Sequence, residues 1–136
     1  YEDEKKYIQL IKDFSYRDEI KWINEYIPDE LAANYFMASD MTVLPYKSAS
    51  QSGVIPLSYS YGSPVIASRI SGIKEMVDEG RTGYLFEKED SKDLANKIIE
   101  FYSSNVDYTK NIKDFRQKYD WSNFINKLFH LFDSVR

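Results

Sequence analysis

The stretch from Met41 to Ser68 limits what this chain can fold into more than any other. It opens with an apolar run, Met-Thr-Val-Leu, that ends at Pro45. The run is too short for a helix and predicts a strand, Met41 to Leu44, buried on both faces. A polar loop follows from Tyr46, then a helix closed by Gly62, then a second strand from Pro64 to Ala67. Together these make one β-α-β unit. Strands that run parallel across such a unit put their C-terminal ends, and the start of the helix, on one edge of the sheet. Open α/β folds bind ligands at that edge, and Tyr46 to Val54 lies there.

The residue types in this loop suit a ligand. Ser48, Ser50, Gln51 and Ser52 offer short hydroxyls and an amide that donate hydrogen bonds without crowding. Gly53 lets backbone approach a ligand closely. With Gly53 near the N-cap, Pro56 falls in the first turn, where its missing N–H costs no intrahelical bond. The N–H groups of Gly53, Val54 and Ile55 then remain as donors toward an anion. Small polar residues also build ordinary turns and caps. Physical chemistry alone therefore leaves a phosphate cradle and a plain loop both open.

Strands and helices alternate on either side. Glu2 to Phe14 predicts an amphipathic helix with Tyr7, Ile8, Ile11 and Phe14 on one face. Ile20 to Asn24 reads as a short strand. Pro28 suits the first position of the next helix and Asp29 and Glu30 suit its positive end, with Leu31, Tyr35 and Phe36 facing inward. Beyond the central unit, Gly72 precedes a brief helix from Ile73 to Asp78. Glu79 to Gly83 is a turn cluster, and Tyr84 to Phe86 a last strand. Asp90 or Ser91 caps a helix to about Ser103, with Leu94, Ile98 and Tyr102 aligned. From Asn105 the pattern is helical: Ile112, Phe115 and Tyr119 form a stripe, and Asp120 caps a final helix from Trp121 to Ser134. The expectation is an α/β fold: a partial Rossmann-like domain with a parallel sheet of about four short strands flanked by helices and a helical C-terminus. One domain spans 1–136, with an α/β part over 1–104 and C-terminal helices over 105–136.

Charge and composition narrow the function classes. Asp and Glu total 22 against 18 Lys and Arg, for a net charge of -4 and a pI near 5.1. That balance argues against nucleic acid as a partner. Absence of Cys removes disulfides, thiolate zinc sites and Cys nucleophiles. No apolar run approaches membrane-span length. The expected location is cytoplasmic, with peripheral attachment to a membrane left open for the full enzyme. His130 is the only histidine and falls on the final helix, which suits a helix-surface or packing role rather than catalysis. Asp107, Asp120 and Asp133 sit on different segments without ligand spacing, so no metal is expected from them. The many aromatics read mainly as core, with Phe115, Phe124, Phe129 and Phe132 at helical spacing. Tyr59 and Tyr61 stand out as the two near the loop.

Four blocks, in order, carry a family resemblance. They are Val43 through Leu57, Gly62 through Ser68, Gly72-Ile73-Lys74-Glu75-Met76-Val77, and Gly80 through Phe86. With Tyr26 to Asp40 upstream, they resemble the C-terminal, donor-binding domain of the group 1 retaining glycosyltransferases, which have the GT-B fold. The likeness covers Ile20 to Tyr102. It implies the donor-binding part of an enzyme that moves a sugar from a nucleotide-sugar to an acceptor hydroxyl, in polysaccharide or glycoconjugate synthesis, without a metal or other cofactor. It also implies partners: an N-terminal, acceptor-binding domain, and preceding elements of this domain whose Arg and Lys grip the diphosphate. This chain lacks those elements and the N-terminal domain, so alone it should be catalytically inactive, and an unfinished sheet edge near the Ile20 strand would invite a dimer.

On the same resemblance, the donor contacts fall on Ser50, Gln51, Ser52, Gly53, Val54 and Ser58, with Lys47 and Glu75. Lys47 could meet a phosphate or be a solvated lysine. Glu75 matches the acid of a Gly-Gly-x-x-Glu segment, or is a charge at the positive end of a short helix. Arg69 reads as a surface ion pair. One feature departs from the family pattern, a Glu-x7-Glu pair around this loop. Anchored on Gly53 the pair falls at Ser50 and Ser58, and anchored on Pro64 at Ala49 and Leu57, with no acid in either register. A neutral site would bind through bonds roughly half as strong as charge-assisted ones. The alternative is a non-catalytic interaction domain that has lost donor binding.

Overall fold

Every residue of the segment Val65–Ser68 is buried, and it is the middle strand of a sheet covered on both faces. A computed structural model describes residues 4–118, 125 and 128–132. In chain order the elements are α1 (Glu4–Asp13), a 3-10 turn (Arg17–Glu19), α2 (Asp29–Ala38), β1 (Thr42–Leu44), α3 (Val54–Ser60), β2 (Val65–Ser68), α4 (Ser71–Lys74), β3 (Gly83–Phe86), α5 (Ser91–Ser103) and α6 (Tyr108–Lys118). The sheet has three strands in the order β1-β2-β3, all parallel. Thr42 pairs with Val65 and Leu44 with Ala67. Across the other ladder Val65 pairs with Gly83 and Ser68 with Phe86.

Alternation along the strands divides the core in two. Leu44, Val65, Ala67 and Leu85 meet Ile55 and Tyr59 of α3, Ile73 of α4, Val77 and Ile112 of α6. On the other face Ile66, Tyr84 and Phe86 meet Leu94, Ile98 and Phe101 of α5. Each fully buried Ile or Val side chain contributes about 1.5–3 kcal/mol. Helix ends follow local chemistry. Asp90 caps α5 by accepting from the N–H groups of Lys92 and Asp93 at 2.9 and 3.0 Å. Gly62 (φ +72) ends α3 in a left-handed conformation.

One buried hydroxyl set links α3 to the turn before β3. The Tyr59 phenol shares a 2.8 Å hydrogen bond with Thr82 Oγ1 and donates to the Met76 carbonyl at 3.2 Å. Thr82, itself buried, accepts from the Asp78 N–H at 2.9 Å.

Several expectations are corrected. Ile20 to Asn24 is not a strand, so the sheet has three strands rather than about four. A strand exists only through its ladder, and among the described residues this stretch pairs with none. β1 is an edge and is not buried on both faces: Leu44 is buried, but Val43 is 37% exposed. Leu31 and Tyr35 are exposed, and only Phe36 tucks partly in, stacked on Tyr61 at 5.6 Å. α4 starts two residues earlier than Ile73 and stops at Lys74, because Ile70 supplies the acceptor for the N–H groups of Ile73 and Lys74. In α5 it is Phe101 that faces the core, while Tyr102 is exposed and donates to Asp40 at 3.0 Å. Phe129 and Phe132 are helical but exposed rather than core. His130 is helical and exposed, in keeping with the helix-surface role expected of it. Tyr119, Asp120, Trp121 and Phe124 lie outside the described residues.

Two stability predictions follow from buried hydroxyls. Burial pushes the Tyr59 phenol up to about 12 from its usual 10.0, with the Thr82 bond opposing and the Asp78 charge adding. A raised phenol leaves the folded state protonated where the unfolded chain ionises. Its stabilisation is therefore complete below pH 10 and is lost as pH rises from 10 towards 12. Tyr59→Phe should lower stability by about 1–2 kcal/mol at pH 8 and make the alkaline fall shallower, measured by urea unfolding at pH 8, 10 and 11.5. Ser68 is the reverse case. Its hydroxyl is buried with no hydrogen-bond partner among the described residues, so Ser68→Ala should leave stability unchanged or raise it by up to about 1 kcal/mol in the same assay.

Candidate functional site

Parallel strands bring Leu44, Ser68 and Phe86 to one edge, so the loops after β1, β2 and β3 share it. The longest of them runs from Pro45 to Gly53 and is sorted by side-chain type. Tyr46 and Ala49 are half-buried and rest, with Val54, on the core beneath α3 and α4. Ser48, Ser50, Gln51 and Gly53 are exposed. Apolar groups thus hold the loop down while polar ones face solvent at the edge.

Ser52 is the exception among the polar residues, at 6% exposed. Its Oγ accepts from the Val54 N–H at 3.2 Å and shares a 3.1 Å bond with the Tyr46 hydroxyl. Ser52 therefore caps the start of α3 from inside, and the Val54 N–H already has an acceptor. Among the described residues the N–H groups of Gly53 and Ile55 have none. At Gly53 a side chain would meet nothing within 4 Å, so the space above its backbone is open.

The remaining predicted residues lie apart from this cluster or on its rim. Ser58 is fully buried, donating to the Ser63 carbonyl at 2.9 Å and sharing a 2.8 Å bond with Thr42 Oγ1. Its hydroxyl joins the far end of α3 to the start of β1, away from the loop. Lys47 is exposed at the edge and faces Glu89 at 3.8 Å. Such an exposed pair is worth well under ~1 kcal/mol. Glu75 is exposed and follows the last residue of α4, so it stands at the negative end of that helix, not the positive one. Arg69 pairs with Glu79 at 2.8 Å and Glu87 at 3.2 Å, as a surface ion pair predicts. Tyr59 is in the core. Tyr61 stacks on Phe36 and lines a cleft of about 390 Å³ between the ends of α2, α3 and α5, at the opposite edge of the sheet.

Sequence reasoning missed two residues that shape the loop. The sequence marks Tyr46 only as the loop's first residue, yet its hydroxyl holds Ser52. Its pattern puts Gly72 before a helix, yet Gly72 lies inside α4 and against the loop backbone. No local signal distinguishes a glycine that ends a turn from one that makes room for a neighbouring segment. Among the described residues, no three His, Cys, Asp or Glu side chains gather as metal ligands, and no helix is long and apolar enough to cross a membrane.

Comparison with known proteins agrees with this architecture. Residues 2–104 match the family described as glycosyl transferases group 1. A D-inositol 3-phosphate glycosyltransferase from Corynebacterium urealyticum is 26% identical over 132 residues, covering 93% of this chain and 30% of the relative. Sulfoquinovosyl transferase SQD2 from Arabidopsis thaliana is 31% identical over 99 residues, covering 68% of this chain and 19% of that protein. Sucrose-phosphate synthase from Thermosynechococcus elongatus superposes with a TM-score of 0.72 at 20% identity, over 96% of this chain and 34% of its own. This last match speaks for the fold, a Rossmann-like fragment of the GT-B type. The chain spans between 19% and 34% of the length of these proteins. With the family model covering most of its length, the chain belongs to the group 1 glycosyltransferases.

Proposed function

We propose that this chain is the donor-binding part of an enzyme that transfers a sugar from a nucleotide-sugar to an acceptor hydroxyl. The observation that carries the reading is the sorted loop after β1. Its apolar residues are anchored and its polar ones turned out, at the edge where α/β sheets bind ligands. The N–H of Gly53 would meet the leaving diphosphate, where charge develops as the sugar departs. The Ser50 hydroxyl and the Gln51 carboxamide would hold the sugar. Ser52 acts one step back, fixing the start of α3 through Val54. Lys47 is placed to add a screened positive charge once a phosphate competes with Glu89. Glu75 would reach the donor only from the rim.

The reading uses no metal and no resident cofactor. The nucleotide-sugar is a substrate, and in the whole enzyme the acceptor would come from a separate N-terminal domain. A cytoplasmic role in polysaccharide or glycoconjugate synthesis fits such an enzyme. Without an acidic pair at the loop, binding rests on neutral hydrogen bonds worth about 0.5–1.5 kcal/mol each. Removing Ser50 or Gln51 alone should therefore weaken the donor only severalfold.

Two experiments test this. Titrating the chain with UDP and GDP while following amide resonances should move Gly53 and its neighbours first. Silence here and in the complete enzyme would favour a non-catalytic interaction domain. In the complete enzyme, Gly53→Val should reduce transfer at least a hundredfold with little change in melting temperature, since the fold leaves open space there. Normal transfer by that variant would remove the loop from the site.

A further inference from the structure

We infer that Gly72 is a positioning residue for this loop: by having no side chain it lets α4 lie directly on the backbone of Ala49 and Ser50, and so sets where Ser50 and Gln51 present their polar groups. The functional consequence rests on the donor-binding reading above.

A Cβ built at Gly72 would run into the carbonyl group of Ser50 and the carbonyl oxygen of Ala49. These are backbone atoms, which cannot swing aside as a side-chain tip can. Gly62, Gly80 and Gly83 have positive φ, and Gly72 does not. The position therefore uses the missing side chain rather than the conformational freedom of glycine.

A methyl group at Gly72 would force one of the two segments to move, and their anchorage decides which. Ile73, the next residue, is fully buried in the core. The Ile73 and Lys74 N–H groups both bond the Ile70 carbonyl at 3.0 Å, and the Ile70 N–H bonds the Ser68 carbonyl at 2.9 Å. α4 is thereby chained to the end of the central strand. The loop is held at its ends, where the half-buried Tyr46 bonds the Leu44 carbonyl through its N–H at 2.9 Å and Ser52 through its hydroxyl, and where Ser52 accepts from the Val54 N–H. Between them only Ala49 is half-buried, while Ser48, Ser50 and Gln51 are exposed. The loop gives way, and it is displaced on the ligand edge.

The test compares amide spectra and UDP affinity for the chain, its Gly72→Ala variant and a Gly80→Ala control. The control strains a left-handed turn that has no neighbour within 4 Å, so it lowers stability without touching the loop. Gly72→Ala should shift the amides of Ala49 to Gly53 more than those of α4 and weaken UDP at least tenfold. Gly80→Ala should keep UDP affinity within twofold. Should Gly72→Ala fail to fold, adding Ala49→Gly loosens the loop backbone, and the pair is compared with Ala49→Gly alone. Loop amides that stay in place, or a UDP affinity within twofold of the parent, would overturn the inference. If the parent chain does not bind UDP, the donor reading fails by itself, and the loop amides decide the positioning role: displaced loop amides support it and unmoved ones overturn it.

Discussion

Burial of β2 on both faces is the constraint on which the rest of the molecule depends. The strand holds Val65, Ile66 and Ala67 fully out of water, with β1 and β3 on its two sides and helices above and below. Without them its backbone polar groups and its apolar side chains would both be left exposed. α3, α4 and α6 cover one face and α5 the other. Parallel pairing then places all three strand ends on one edge. The candidate site is thus a consequence of how the core is closed.

The loop at that edge is positioned by contacts from beneath. Tyr46 and Ser52 fix its two ends to one another, and Gly72 fixes its middle against α4. A loop built this way can hold small neutral groups in a defined place. Under the proposed reading, such a loop would serve without carboxylates. Short polar groups with little conformational freedom bind with a small entropic cost, although each bond is weaker than one to an acid. Basic side chains near the edge are mostly engaged: Arg69 with Glu79 and Glu87, Lys47 loosely with Glu89.

The first forty residues contrast with the rest. Leu10, Phe14, Trp22, Tyr26, Leu31 and Met37 are all exposed, and none of the residues of α1 or α2 is buried. They contribute helices and a few aromatic contacts, such as Tyr7 on Trp22 at 5.9 Å, but little core. Beside them β1 presents an unpaired outer edge among the described residues. The apolar periodicity of α1 is real, yet among the described residues that face is only partly covered, with Trp22 against Tyr7 and Phe14 left exposed.

The sequence by itself determined the order of elements from α2 onward, the β-α-β unit around Met41 to Ser68, the end of α3 at Gly62, and the family. All of these are local: they depend on periodicity, on chain-ending residues, or on a run of residues in fixed order. Only the tertiary structure decided which of the polar residues face the ligand edge. Ser52 and Ser58 have the same chemistry as Ser50, and sequence spacing could not tell a hydroxyl that caps a helix or ties two elements together from one that faces solvent. It likewise decided that Ile20 to Asn24 does not pair, since a strand is defined by a neighbour its own sequence does not contain. The place of Gly72 against Ser50 belongs to this second group. The two residues are brought together by packing α4 on the core, a long-range contact that leaves no periodic trace in the chain.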